Sequence, residues 1–338
     1  MNTFKKVMAS PAKKQKKHHL LTQGDYDNLF DACKKKNVKQ LASLIPQLFQ
    51  RPGFNYNVTN NDNETMLMSL LQIPEFCNQH SGIIQQLIEK MTQDGVNQTD
   101  DDNWTALMFA FRFAPEFCNK HSEIIEQLIK KMSKDGVSQK TKNRCTALML
   151  AFRWASEFCN NNSGIIKLLI EKMTQDGVNQ KSKYGTTALM FAFRYSLEFC
   201  NNNSGVIQKL IEKMNEVALN QTDPDNWTAL MVAIEKNLTN VIPMLLAHPF
   251  IMVRYQDYEL AIKTKTPVII KCIQDHIKNN KAAYIKHDLN LYCKWIDDTK
   301  PLTQDDYNNL FHKCEHKNVK QLASLIPQLF QRPGFNYN

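Results

Sequence analysis

The chain has 338 residues, 43% of them hydrophobic and 22% charged, with a formal net charge of +9. That balance supplies a continuous apolar core and excludes a chain that depends on metal or disulfides to fold. Six of the nine net charges come from Lys5, Lys6, Lys13, Lys14, Lys16 and Lys17, and no acid precedes Asp25, so the excess is a short tail and not a basic stripe along a folded body.

Residues 1–20 read as a basic disordered tail, with His18 and His19 at its end. Its lysines are not followed by the apolar run and small-residue cleavage site of a secretory signal. A solubilising role is the plain reading of such a tail, and contact with nucleic acid or an anionic membrane is its alternative. The longest strongly apolar segment, Val241 to Val253, contains Pro243, His248 and Pro249 and is too short to span a bilayer, so no transmembrane segment is expected. The nine cysteines are odd in number and form no Cys-x-x-Cys, which fits reduced thiols in a cytoplasmic protein better than a disulfide framework.

After the tail, Tyr26, Leu29, Phe30 and Cys33, then Val38, Leu41, Leu44, Ile45 and Leu48, fall at helical spacing and predict two short helices closed by the turn at Arg51-Pro52-Gly53. Next comes a string that organises the chain. Thr-Ala-Leu-Met occurs at Thr105, Thr146, Thr187 and Thr228, and as Thr-Met-Leu-Met at Thr65, in steps of 40, 41, 41 and 41 residues. A fixed period of that size means stacked supersecondary units. Each Thr is expected to cap a helix whose buried face is Ala-Leu-Met-x-Ala. A second helix follows, with Ile124, Ile125, Leu128, Ile129 and Met132 on one stripe and Ile165, Ile166, Leu169, Ile170 and Met173 on the next. Between the two helices, Pro74 to Ser81, Pro115 to Ser122, Ser156 to Ser163 and Leu197 to Ser204 each contain Glu-Phe-Cys-Asn. These inserts are expected to lengthen the first helix or to add one helical turn. In the loop before each Thr, Asn63, Asn103, Gly185 and Asn226 occupy a position that wants a left-handed backbone; Arg144 does not suit it, so its turn is expected to differ.

The loop pattern Val-Asn-x-x-Asp-x-x-Gly-x-Thr, carried by Val96 to Thr105 with Asn103 in place of Gly, resembles the ankyrin repeat. The resemblance implies an all-α, ankyrin-type helical-repeat solenoid that binds proteins through a concave face and loop tips. Ala106 and Met108, Ala147 and Met149, and Ala188 and Met190 stand where ankyrin repeats carry Pro and His, so methionine packing must replace the lost side-chain bonding. The period also exceeds the 33 residues of an ankyrin repeat. The implied division is a tail at 1–20, an N-terminal capping repeat at 21–57, four expanded repeats at 58–221, two degenerate repeats at 222–277, a helical connector at 278–301, and at 302–338 a near-duplicate of 21–57 that differs at six of 37 positions. The duplicate is either a C-terminal cap or the start of further repeats in a longer array.

Cys77, Cys118, Cys159 and Cys200 share one repeat position, but stacked helices hold such residues roughly 8–10 Å apart, beyond disulfide reach. The histidines that follow the first two, His80 and His121, become Asn162 and Asn203, so buried apolar thiols are expected and no metal site. Arg112, Arg153 and Arg194 share another position, each followed by an aromatic: Phe113, Trp154 and Tyr195. Arg beside a large aromatic is enriched at binding hot spots. The alternative is internal packing, in which the aromatics fill the space created by the insert and each Arg pairs with Glu116, Glu157 or Glu198 four residues on. Trp104 and Trp227 stand at variable loop-tip positions before Thr and complete the candidate partner-binding set. No Gly-rich phosphate loop, Gly-x-Ser-x-Gly or His-Glu-x-x-His occurs, so neither catalysis nor a cofactor is expected. The expected function is a monomeric protein–protein interaction scaffold, similar to the ankyrin-repeat effectors that intracellular bacteria deliver into host cells. The alternative is a targeting module for a nucleic acid, an anionic membrane or a catalytic domain beyond residue 338.

Overall fold

The computed structural model describes residues 21–280. The basic tail, the rest of the connector and the near-duplicate at 302–338 lie outside the described residues. Within them the secondary structure is helical, and the helices stack unit upon unit as an ankyrin-type solenoid.

Gln23–Lys34 and Val38–Phe49 form the first pair and bury Leu29, Ala32, Leu41, Ile45 and Leu48. First helices then recur at Met66–Leu71, Ala106–Phe113, Ala147–Trp154, Ala188–Tyr195 and Ala229–Glu235. Each begins on the repeated threonine, whose Oγ1 accepts the amide three residues on, at 3.3, 3.4, 3.5, 3.4 and 3.1 Å in order. Such a cap satisfies one of the helix's free N–H groups and is worth about 1 kcal/mol. The Ala-Leu-Met face is the centre of the core: Leu107, Met108, Leu148, Met149, Leu189 and Met190 have no exposed surface.

The insert does not lengthen the first helix. Ala114, Ala155 and Ser196 leave helical geometry, with φ near −125°, and a separate six-residue helix follows at Pro74–Gln79, Pro115–Lys120, Ser156–Asn161 and Leu197–Asn202. Its Phe and Cys are fully buried, and the rings of Phe111 and Phe158, and of Phe152 and Phe199, meet across neighbouring units with centroids 5.5 and 5.4 Å apart. Second helices follow at Ser81–Lys90, Ser122–Lys131, Ser163–Lys172 and Ser204–Lys213. Each unit closes on a further short turn of helix, such as Lys134–Val137, begun by a side-chain cap from Thr92, Ser133, Thr174 or Asn215.

Two ladders tie unit to unit. Asn57, Asn97, Ser138 and Asn179 each accept, through a side-chain oxygen, the amide of Thr92, Ser133, Thr174 and Asn215 in turn, at 2.8–3.0 Å. The ammonium of Lys131 donates to the carbonyls of Ile88 and Glu89, that of Lys172 to Ile129 and Lys130, and that of Lys213 to Ile170 and Glu171. Each lysine thus caps the carbonyl end of the preceding second helix, where a cation also complements the helix dipole.

The stack ends on Ile242–Ala247, Tyr255–Thr264 and Pro267–Asn279, without the six-residue insert. Asp257 is wholly buried here and accepts the Arg254 amide at 2.6 Å. Burial pushes its carboxyl up to about 7 against the opposing pull of Arg254.

Candidate functional site

The loop before each first helix folds into a tight finger. In the second unit Asp100 N–H donates to Trp104 O at 3.0 Å, and the Asp100 carboxylate accepts the amides of Asp102 and Trp104 at 3.0 and 2.6 Å. Asn60, Thr141, Ser182 and Asp223 do the same work with their own side-chain oxygens, which is why a short polar residue recurs there. Neighbouring fingers are joined by backbone bonds, Asp101 N to Asp62 O, Lys142 N to Asp102 O and Lys183 N to Asn143 O. The turn at Arg144 does not differ from the others: its φ of 61° matches Asn103 at 61° and Asn226 at 62°. The finger bonds on both sides hold that backbone in place, and Arg144 bears the roughly 1–2 kcal/mol strain of a left-handed L-residue.

Fingers and first-helix ends together present the predicted residues. The Arg112 guanidinium lies over the Trp154 ring at 3.7 Å from its centroid, and Arg153 lies over Tyr195 at 5.5 Å. Each arginine therefore reaches the aromatic of the following unit. Phe113, Trp154 and Tyr195 remain 39%, 40% and 46% exposed, too open to be filling space left by the insert. The Trp104 ring extends the row, 6.3 Å from Phe113. Arg194 ends it by pairing with Asp223, whose other oxygen accepts the Trp227 amide at 2.9 Å. Burial alone would raise the Asp223 carboxyl, but the Arg194 contact and the two finger amides outweigh it and hold the group below the usual range.

The alternative of ion pairs four residues apart does not hold. Glu116 pairs with Lys120 at 2.7 Å and Glu157 accepts from Asn119 at 2.9 Å. The cause is the break at Ala114 and Ala155, which places each glutamate on a different helix from its arginine. In the first unit the helix is shorter: Ile73, only 3% exposed, stands at the break that Ala114 occupies, so the aromatic position is missing and Gln72 bonds Glu64 instead.

Cys77, Cys118, Cys159 and Cys200 are fully buried. Burial pushes the thiols of Cys77 and Cys200 up to about 12, and those of Cys118 and Cys159 further still, so they stay protonated and inert. Among the described residues no cluster of His, Cys, Asp and Glu could hold a metal ion, and no helix is long and apolar enough to cross a membrane. Sequence reasoning missed Asp223 and Tyr184, which complete the face; the finger bonds of Asp223 were visible only as a recurring polar position.

Comparison with known proteins follows the same lines. The family described as ankyrin repeats, in three copies, matches residues 114–201 and 152–258. No curated protein matches. Three of the solved structures that resemble the chain illustrate the likeness. One chain of the complex between a predatory endopeptidase from Bdellovibrio bacteriovorus and an immunity protein is 21% identical, with 64% of this chain and 95% of that one covered and a TM-score of 0.40. The ankyrin repeat protein EF0377 is 17% identical, with 65% and 96% covered and a TM-score of 0.44. The ankyrin repeat domain of Bcl-3, a member of the IkappaB protein family, is 18% identical, with 73% and 97% covered and a TM-score of 0.44. Residues 114–258 match the ankyrin-repeat family model, and the described residues as a whole form a helical solenoid of that type.

Proposed function

We propose that this chain is a recognition scaffold that binds a partner protein through the face made by Trp104, Arg112, Phe113, Arg153, Trp154, Arg194, Tyr195 and Trp227, carried on the expanded units at 58–221 and, for Trp227, on the first finger after them. Ankyrin repeats are in general protein-interaction modules, and no catalytic family is indicated. The observation that carries the reading is the exposed arginine–aromatic row. Three large rings stay about two-fifths exposed while their apolar neighbours are sealed in the core, an arrangement with little value for folding alone. Planar cations laid on rings are pre-ordered, so a partner would lose little further side-chain freedom on contact.

Affinity capture with the wild-type protein and with Arg112, Arg153 and Arg194 all changed to Glu tests the reading, provided circular dichroism gives both the same helical content. Proteins retained by the wild type and released by the variant support it. Equal capture by both would make the row structural and remove the proposal.

A further inference from the structure

Between the third and fourth fingers the row opens into a pocket of about 290 Å³, walled by Cys145 and Tyr184 from the fingers and by Arg153, Phe191, Arg194 and Tyr195 from two first helices. Its size suits one or two side chains and falls at the lower limit for a cofactor or drug-sized ligand. The walls hold two guanidinium groups and no carboxylate. Arg194 is already neutralised by Asp223. Arg153 is exposed and rests on the rings of Trp154, Phe191 and Tyr195, with no ion pair or hydrogen bond to any described residue. The pocket therefore offers one unspent positive charge, with its planar N–H donors free and its flat faces against aromatic rings.

The two fingers reinforce that sign. Lys140, Lys142 and Arg144 lie on one and Lys181 and Lys183 on the other, with no acid among residues 140–146 or 181–187. Of these cations only Lys142 forms an ion pair, with Asp102 at 2.9 Å. A single free guanidinium matches a singly charged carboxylate, whose two oxygens fit its fork of donors. A phosphate dianion would want a second cation within the walls, and the one that stands there, Arg194, is taken by Asp223.

We propose that this pocket receives an aspartate or glutamate side chain from an acidic segment of the partner protein, with Arg153 as its charged contact and Tyr184 and Tyr195 flanking it. The inference rests on the reading of the row as a binding face and adds the chemistry of what binds there. Tyr184, 66% exposed at the finger tip, is placed to lie against the residue beside that acid.

The test is selection of a random dodecapeptide library on the wild-type protein, followed by titration of synthetic forms of the selected peptides. Enriched peptides should share an Asp or Glu. Replacing it with Asn or Gln should weaken binding about tenfold, the range of one charge-assisted bidentate contact. Arg153→Gln should abolish that difference, and Tyr184→Ala, at a tip with little to unfold, should weaken binding several-fold. Peptides without an acid whose binding survives Arg153→Gln but falls with Trp154→Ala would overturn this inference and leave the binding face intact. Failure to enrich any peptide sensitive to the row would overturn both. Tighter binding of a phosphoserine form than of the acidic form would also overturn it, since the pocket would then serve a dianion.

Discussion

Asp257 should make the folded state sensitive to pH near neutrality, and Asp257→Asn isolates the effect. The carboxyl has no exposed surface, and burial moves it from 3.8 to about 7. Between those values the native protein keeps a proton that the unfolded chain has released, so the contribution of this group to stability is greatest below about pH 4 and falls as pH rises towards 7. The slope for one such group is about 1.4 kcal/mol per pH unit, which sets an upper limit of roughly 4 kcal/mol across the window. Asparagine keeps an acceptor for the Arg254 amide, accepted at 2.6 Å in the wild type, and cannot ionise. Urea titrations followed by circular dichroism at pH 4.5, 6, 7 and 8, settings on the order of one unit apart chosen to straddle the window, should show the variant gaining on the wild type as pH rises. Any offset common to all pH values is removed by taking the difference, and His276, lowered by burial, titrates alike in both proteins. A wild-type-to-variant difference that is flat between pH 4.5 and 8 would refute the argument.

The fingers allow a paired test. Arg144→Gly should raise stability by about 0.5–1 kcal/mol in thermal or urea unfolding, because glycine adopts φ near 61° without strain while losing somewhat more chain entropy. Gly185→Ala should lower it by about 1–3 kcal/mol, since φ is 72° and the added methyl would lie 2.7 Å from the Thr222 carbonyl oxygen. In a native thiol assay with an aromatic disulfide, Cys145, half-buried at the pocket, should react well before Cys118 and Cys159, which should wait for unfolding. Equal rates for all three would contradict the packing of the Phe-Cys seam.

The threonine caps, the Ala-Leu-Met faces, the second-helix stripes and the buried cysteines were legible in the sequence because each depends on residues within about one turn of one another. The insert was legible only in part: an added helical turn was one of its two expected forms and is the one found, but the break that separates it from the first helix was not visible. It spans six residues, buries only Phe and Cys, and has no side-chain cap, with Pro74 and Pro115 marking the start in two of the four units. Arg112 and Arg153 illustrate the same limit: spacing pointed to glutamates four residues on, whereas the contacts run to Trp154 and Tyr195, some forty residues away. Only stacking reveals such partners. The exception expected at Arg144 was a misreading of cause, since the backbone bonds of the adjoining fingers fix the turn and the residue conforms.

The lysine contacts between second helices run one way. Lys131, Lys172 and Lys213 each close the carbonyl end of the unit before them, never of the unit after. Peeling the array from its C-terminal side therefore strips the cap from each newly exposed unit just as that unit loses its neighbour. Peeling from the N-terminal side leaves every remaining lysine cap in place and costs those carbonyl ends only the single glutamine contacts of Gln93 to Lys131 O and Gln175 to Lys213 O. The solenoid is thus mechanically polar, and under load or protease its two ends should not fray at the same rate.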